Sequence, residues 1–340
     1  MVYKKMNAEL SKSLNAIGLK AKNASAILNT ATSAQKNKFF DLAIAAIQEN
    51  AEEILAANQI DIKAAKDNGK DDAFIDRLAL DKSRLQGICN TLIDIKSFED
   101  PVGRELASWQ RPNGLNISRV ATPLGVIGLI FESRPNVAAD AGGLCLKSGN
   151  AVILRSGKDG LRSASAIVRS LQNALINADL PKECIQIVPF ESRDAATMML
   201  EGLNSSIDVI VPRGGKSLVS LVQEKARVPV FAHLEGICHI YIDKSADLLK
   251  SREVVLNSKL RRPGVCGAAE CLLIDDPVKS KIGKALINDL LNNGVEVRGD
   301  KWAQMINGVK KASINDFGKE FLDKTIAVKV VDGVQGAINH

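Results

Sequence analysis

The sequence predicts an α/β protein of two open parallel-sheet domains, and three observations carry that reading. Short apolar runs alternate with helical segments from Val126 onward, which is the texture of successive βαβ units. The 340 residues allow about two domains at roughly 150 residues each. Aromatic residues make up 4% of the chain against 46% hydrophobic, so the core is aliphatic and alanine-based, as suits helices packed on a parallel sheet.

The first part, residues 1–103, reads as helix. Its opening stretch, MVYKKMNAELSKSLNAIG, is charged and lacks an apolar signal core. Further on, Phe40, Ala43, Ile44, Ile47, Ala51, Ile54 and Leu55 recur at three- and four-residue spacing, which predicts one long helix. Thr32 or Ser33 caps its start, and Asn68-Gly69 stops it. Residues 104–120 change texture: a Pro112-Asn113-Gly114 turn between two alternating runs predicts a β-hairpin, an arm suited to pairing with a second subunit. In residues 121–245, Val126–Phe131, Ala151–Leu154, Ile185–Val188, Ile207–Val211 and Ile237–Ile242 read as buried strands, with helical periodicity over Leu161–Ile176. Residues 246–340 start a second series, with strands near Cys271–Ile274, Val295–Arg298 and Ile326–Val331.

Composition excludes several classes of function. Forty-five basic residues against 39 acidic ones, net +6, form no clustered stripe of the kind nucleic-acid binding needs. Nowhere do about 18 uncharged apolar residues run together, so no membrane span is expected. Six cysteines without a CxxC pair and three histidines give no metal-site spacing, so no metal is expected. The reading is a reduced, cytoplasmic protein.

Four segments are placed to carry chemistry. Arg213-Gly214-Gly215-Lys216 ends a strand and opens a helix, where free N–H groups and the helix dipole face an anion. The segment reads as a phosphate seat or as a plain turn with solvated cations. Arg155-Ser156-Gly157-Lys158 places two cations at another strand's carboxyl end, and reads as the ligand side of an open α/β sheet or as solvated surface. In Glu132-Ser133-Arg134-Pro135-Asn136, the asparagine is either a helix cap or an amide aimed at a developing oxyanion. Cys266 follows Pro263-Gly264-Val265 and precedes Gly267, with Lys259, Arg261 and Arg262 close by. Cationic surroundings favour a thiolate, and small neighbours admit a substrate carbon. No histidine lies near in sequence, so a Cys–His protease arrangement has little support.

Six motifs together resemble the gamma-glutamyl phosphate reductase family, a branch of the aldehyde dehydrogenase superfamily. They are TPLGVIG at 122–128, ESRPNV at 132–137, LCLKSGNAVILR at 144–155, VPRGG at 211–215, EGICH at 235–239 and RPGVC at 262–266. With the helical lead-in, the resemblance spans about Ala8 to Ile338.

The resemblance implies an aldehyde dehydrogenase-like fold with a dinucleotide-binding domain, a catalytic domain and the hairpin as oligomerisation arm. It implies NADPH-dependent reduction of L-glutamyl 5-phosphate to L-glutamate 5-semialdehyde in proline biosynthesis. Cys266 stands at the nucleophile position, attacking the acyl phosphate to give a thioester that hydride reduces. Asn136 stands at the oxyanion amide, with the Cys266 N–H as second donor. His233 falls near the position where hydrolytic relatives keep a water-activating glutamate, a group that a reduced thioester does not need; Glu235 remains a candidate for another role. Arg155 and Lys158 stand where NAD-using relatives bind ribose through an acid, which favours the 2′-phosphate of NADPH. Arg213, Gly214 and Gly215 would seat cofactor phosphate, and Arg134, Arg261 and Arg262 are the cations for substrate phosphate and carboxylate. The family continues past the position of Asn339 with segments that complete the oligomerisation sheet. Their absence here predicts uncovered strand edges and a weakened homo-oligomer. Two other functions fit this pattern: a pseudoenzyme that binds NADPH or a partner without turnover, and a coenzyme-A-acylating aldehyde dehydrogenase.

Overall fold

The computed structural model describes residues 2–231 and 236–340. The chain divides into two compact units, Met1–His233 and Leu234–His340.

The first unit opens with helices α1 (Val2–Leu28), α2 (Ser33–Glu49), α3 (Ala51–Asp67), α4 (Asp72–Leu78) and α5 (Lys82–Ser97). Thr32 caps α2 through a reciprocal bond pair with Gln35, and Asn68 closes α3. The single helix expected over this stretch is two helices. At Asn50 the side-chain Nδ2 donates to the Ala46 carbonyl, 2.7 Å, and the backbone leaves the helical region at φ −94°, ψ 15°. An asparagine side chain that bonds its own backbone competes with the helical ladder, and the break follows.

Strands β1 (Glu105–Gln110) and β2 (Asn116–Val120) form the expected antiparallel hairpin. Nearly every position on it is exposed, with Leu106, Trp109 and Leu115 between 45% and 56%. The α/β part then runs β3 (Val126–Phe131), α6 (Val137–Lys147), β4 (Ala151–Arg155), α7 (Leu161–Asn177), β5 (Ile185–Ile187), α8 (Arg193–Leu200), β6 (Val209–Arg213) and α9 (Lys216–Lys225). The four strands are parallel in the order β5-β4-β3-β6. All of β3 is buried, and its residues alternate between two cores. Ile127, Leu129 and Phe131 pack with Phe39, Phe40 and Leu92, whereas Val126 and Ile130 pack with Leu14, Met199 and Ile210. A run apolar on both faces is what a central parallel strand requires. Gly128 is needed on the second face, where a Cβ would stand 2.4 Å from Ile210 Cδ1.

The second unit runs β7 (Cys238–Ile242), α10 (Leu248–Leu260), β8 (Ala269–Asp275), α11 (Lys284–Asn292), β9 (Glu296–Gly299), β10 (Lys310–Lys311), β11 (Thr325–Val331) and α12 (Gly333–Asn339). Its sheet is parallel, in the order β10-β9-β11-β8-β7. The boundary expected at 245/246 therefore moves. The run Ile237–Ile242 pairs with β8, so it is the edge strand of the second sheet rather than the last strand of the first. An edge strand and an inner strand have the same apolar texture, and pairing alone separates them.

In the first unit, Lys36 of α2 is 1% exposed and sets its ammonium 3.0 Å from Asp100 Oδ2, just before the hairpin. Burial works to raise the Asp100 pKa, but bonds from Lys36, the Val102 N–H and Ser33 outweigh it and hold the carboxyl below its ordinary value. A depressed carboxyl stabilises the fold above the unfolded value, and that contribution is lost as pH falls from there towards the folded value. Asp100→Asn is therefore expected to lower stability near neutrality by roughly 1.5–3 kcal/mol. It also flattens the acid limb of the stability–pH curve, as urea titrations across acid pH would show.

Candidate active site

In the first unit the strand order turns back at β3: the chain continues to β4 and β5 on one side and crosses to β6 on the other. The loops after β3 and β6 part there, which is where open α/β sheets bind ligands. A cleft of about 570 Å³ opens at this point, lined by Phe131, Glu132, Arg155, Lys158, Arg193 and Leu218 among others.

Arg155 is half-buried, and its Nη2 donates to the Glu191 and Ser192 carbonyls at 3.3 Å, while its Nε is buried without a partner. Burial and the Arg193 guanidinium both push its pKa down. Lys158 and Arg193 are exposed in the same cleft. Among the described residues none of these three cations is ion-paired; Asp159 pairs instead with Lys70, at 3.8 Å. The cleft thus holds three cations outside any described ion pair, alongside Glu132, Glu191 and the Lys70–Asp159 pair in its lining. Arg213 is exposed at the end of β6. Behind it the Gly215 N–H donates to Glu132 Oε1 at 3.3 Å, and a Cβ on Gly214 would stand 2.7 Å from Glu132 Cδ. The glutamate carboxylate takes the anion position that the glycines offer at the start of α9.

Asn136 lies at the start of α6 but makes no capping bond; its Nδ2 donates to Asp140 Oδ2, 2.8 Å. Asn136 thus holds the cap position by its backbone, and its side chain does not cap. Burial raises the Asp140 pKa, partly offset by the Asn136 bond. Arg134 is exposed in the preceding loop.

In the second unit, Cys266 sits in the loop joining α10 to β8. Two turns shape that loop: the Val265 N–H donates to Arg262 O at 3.3 Å, and the Ala268 N–H to Val265 O at 3.0 Å. Of the six cysteines Cys266 is exposed, Cys238 half-buried and the other four buried. Gly267 leaves open space beside it. The Cys238 thiol donates to the Cys266 carbonyl oxygen, 3.3 Å, tying β7 to the loop. Arg261 and Arg262 are exposed.

Lys259 does not join the cations around the thiol. Its ammonium lies 2.8 Å from Glu270 Oε2, with both side chains 0% exposed. Glu270 Oε1 accepts from the Leu322 N–H at 3.1 Å. The signal was present in the sequence: a lone acid in the strand Ala-Glu-Cys-Leu-Leu-Ile needs a buried cation. Arg193, Glu132 and Cys238 were also missed, since each joins the site through tertiary contact. His233 and Glu235 lie outside the described residues.

The sequence pattern of the aldehyde dehydrogenase family matches residues 2–308. The chain is 52% identical over 336 residues to the gamma-glutamyl phosphate reductase of Brucella suis, covering 98% of this chain and 80% of that protein. It is 52% identical over 339 residues to the gamma-glutamyl phosphate reductase of Parvibaculum lavamentivorans, with the same coverage. The crystal structure of gamma-glutamyl phosphate reductase from Thermotoga maritima superposes with a TM-score of 0.90 at 38% identity, covering 96% of this chain and 79% of that one.

Removing one partner of a buried pair strands the other charge. Glu270→Gln is expected to lower stability by about 3–5 kcal/mol, read by chemical denaturation, whereas Lys259→Met with Glu270→Leu recovers most of the loss.

Proposed function

The chain belongs to the aldehyde dehydrogenase family and, within it, to the gamma-glutamyl phosphate reductases; on that premise we propose that it reduces L-glutamyl 5-phosphate to L-glutamate 5-semialdehyde through a thioester on Cys266, with release of phosphate. This is a step of proline biosynthesis. The observation that carries the thioester is the exposed Cys266 on a small-residue loop clamped at its base by a buried ion pair.

The first unit's residues fit a nicotinamide dinucleotide. The cleft lies at the sheet's switch point, the buried Arg155 Nε is unsatisfied, and Gly215 leaves open space at the start of α9, where the Glu132 carboxylate now stands against Gly214. We assign NADPH rather than NADH, with Arg155 and Lys158 holding the 2′-phosphate and Arg213, Gly214 and Gly215 the pyrophosphate. Phosphate entering the latter seat must displace the Glu132 carboxylate. When bound, the cofactor supplies hydride to the acyl carbon.

Each chemical step then has a residue. The Cys266 sulfur bonds to the acyl carbon, and the carbon–oxygen bond to phosphate breaks as phosphate leaves with the electron pair. After reduction, the carbon–sulfur bond breaks, the oxygen forms the aldehyde, and the sulfur leaves as thiolate, which regains its proton from solvent. Asn136 Nδ2 is assigned to donate to the oxyanion, and its bond to Asp140 fixes the amide's direction. Arg134, Arg261 and Arg262 are assigned to the substrate's anionic groups. No water-activating base is required. The hairpin, with Leu106, Trp109 and Leu115 exposed, is assigned to contact a second copy of the chain. No helix among the described residues is long and apolar enough to cross a membrane, and the assigned compartment is the cytoplasm.

The reverse reaction tests the reading. Oxidation of glutamate 5-semialdehyde with NADP⁺ should require inorganic phosphate and disappear in Cys266→Ser. Turnover that persists in the variant, or that accepts coenzyme A in place of phosphate, contradicts it. For the cofactor, Lys158→Glu should raise the NADPH Kd by roughly tenfold or more, since a charged hydrogen bond contributes about 1.5–3 kcal/mol, with little change for NADH. Equal effects on both cofactors contradict the assignment.

A further inference from the structure

His239, Cys271 and His340 are far apart in sequence, and their spacing matches no metal motif. The second unit's sheet brings them together. His239 on β7 stands in register with Cys271 on β8, and His340, which follows α12, sets its ring beside the Cys271 sulfur. One ligand atom from each lies within 4.8 Å of the other two. The Cys271 sulfur is 3.8 Å from His340 Nε2. A tetrahedral zinc ion needs thiolate and imidazole ligand atoms roughly 3.3–3.6 Å apart, so small side-chain rotations complete the site.

The imidazoles are oriented for such a role. His239 Nδ1 is 2.5 Å from the Ile237 carbonyl and donates to it, which leaves Nε2 with a free lone pair. A backbone carbonyl that fixes the far nitrogen is the usual support of a metal-bound histidine. His340 Nδ1 is also engaged, by Lys329 Nζ at 3.1 Å, so Nε2 is again the nitrogen beside the sulfur. Phe317 packs edge-on against the His340 ring and limits its rotation. Cys271 is fully buried, so the sulfur is held in place.

We propose that His239, Cys271 and His340 form a site for a borderline-soft divalent transition ion of the zinc class. Three protein ligands leave a fourth position for water. Binding replaces the Cys271 S–H bond by a sulfur–metal bond and releases the proton to solvent. His340 shifts its proton from Nε2 to Nδ1, and the Lys329 ammonium swings away. Lys329 is the opposing group of the site. The ion would pin the end of α12 to the β7–β8 edge, and none of its ligands takes part in the proposed reaction.

The test is a Co²⁺ titration of the Cys266→Ser protein, whose exposed thiol is then absent. A thiolate-to-cobalt charge-transfer band should grow to one equivalent and be abolished by Zn²⁺. Cys271→Ser should remove the band. His239→Ala, at an exposed position that does not threaten folding, should weaken binding by at least roughly tenfold. Lys329→Gln should tighten it by removing the repelling charge. Absence of the band at saturating Co²⁺, or a band that survives Cys271→Ser or His239→Ala unchanged, overturns the site.

Discussion

The buried ion pair between Lys259 and Glu270 is the constraint on which the candidate nucleophile depends. It joins the last turn of α10 to the start of strand β8, the two elements between which the Cys266 loop is strung. A loop holding three glycine or proline residues has little rigidity of its own, and its thiol must stay exposed to meet substrate. Fixing both ends in the interior resolves that conflict. The pair is costly to bury, and two well-packed apolar residues would serve stability as well. What the pair adds is direction: one carboxylate oxygen holds Lys259, and the other holds the Leu322 N–H, so three segments are set in one arrangement.

The first unit solves a different electrostatic problem. The cleft proposed to hold the cofactor needs cations that are not bound up in ion pairs with their own neighbours. Arg155 meets carbonyl oxygens rather than carboxylates, Arg193 repels it, and Asp159 is drawn aside by Lys70. The unsatisfied charge resides where strand ends and the switch in strand order already create space. Glu132, in the loop after β3, sets its carboxylate on the Gly215 N–H at the start of α9, the seat proposed above for phosphate.

Much of this was legible in the sequence. Buried strands announce themselves as aliphatic runs, and β3, β4, β8 and β11 fall within a residue or two of where those runs lie. The Pro-Asn-Gly turn specified the hairpin, and the small-residue setting of Cys266 marked the exposed thiol. What stayed hidden depends on tertiary contact. The break at Asn50 turns on one side-chain bond, which the apolar periodicity running through it does not register. Lys259 reads as a solvated cation until its partner eleven residues later is seen to be buried with it. The edge position of β7, the place of Arg193 in the cleft and the meeting of His239, Cys271 and His340 all follow from how the strands pair, which local texture does not encode.

The central claim is that the loop carries a covalent acyl intermediate on one sulfur. It is tested most directly by withholding the group that discharges it. Protein incubated with glutamate 5-semialdehyde and NADP⁺ in the absence of phosphate should gain one glutamyl group by intact mass, mapped by peptide analysis to Cys266 and lost when phosphate is added. Formation of NADPH with Cys266 unmodified, or an adduct at a different residue, would contradict the account.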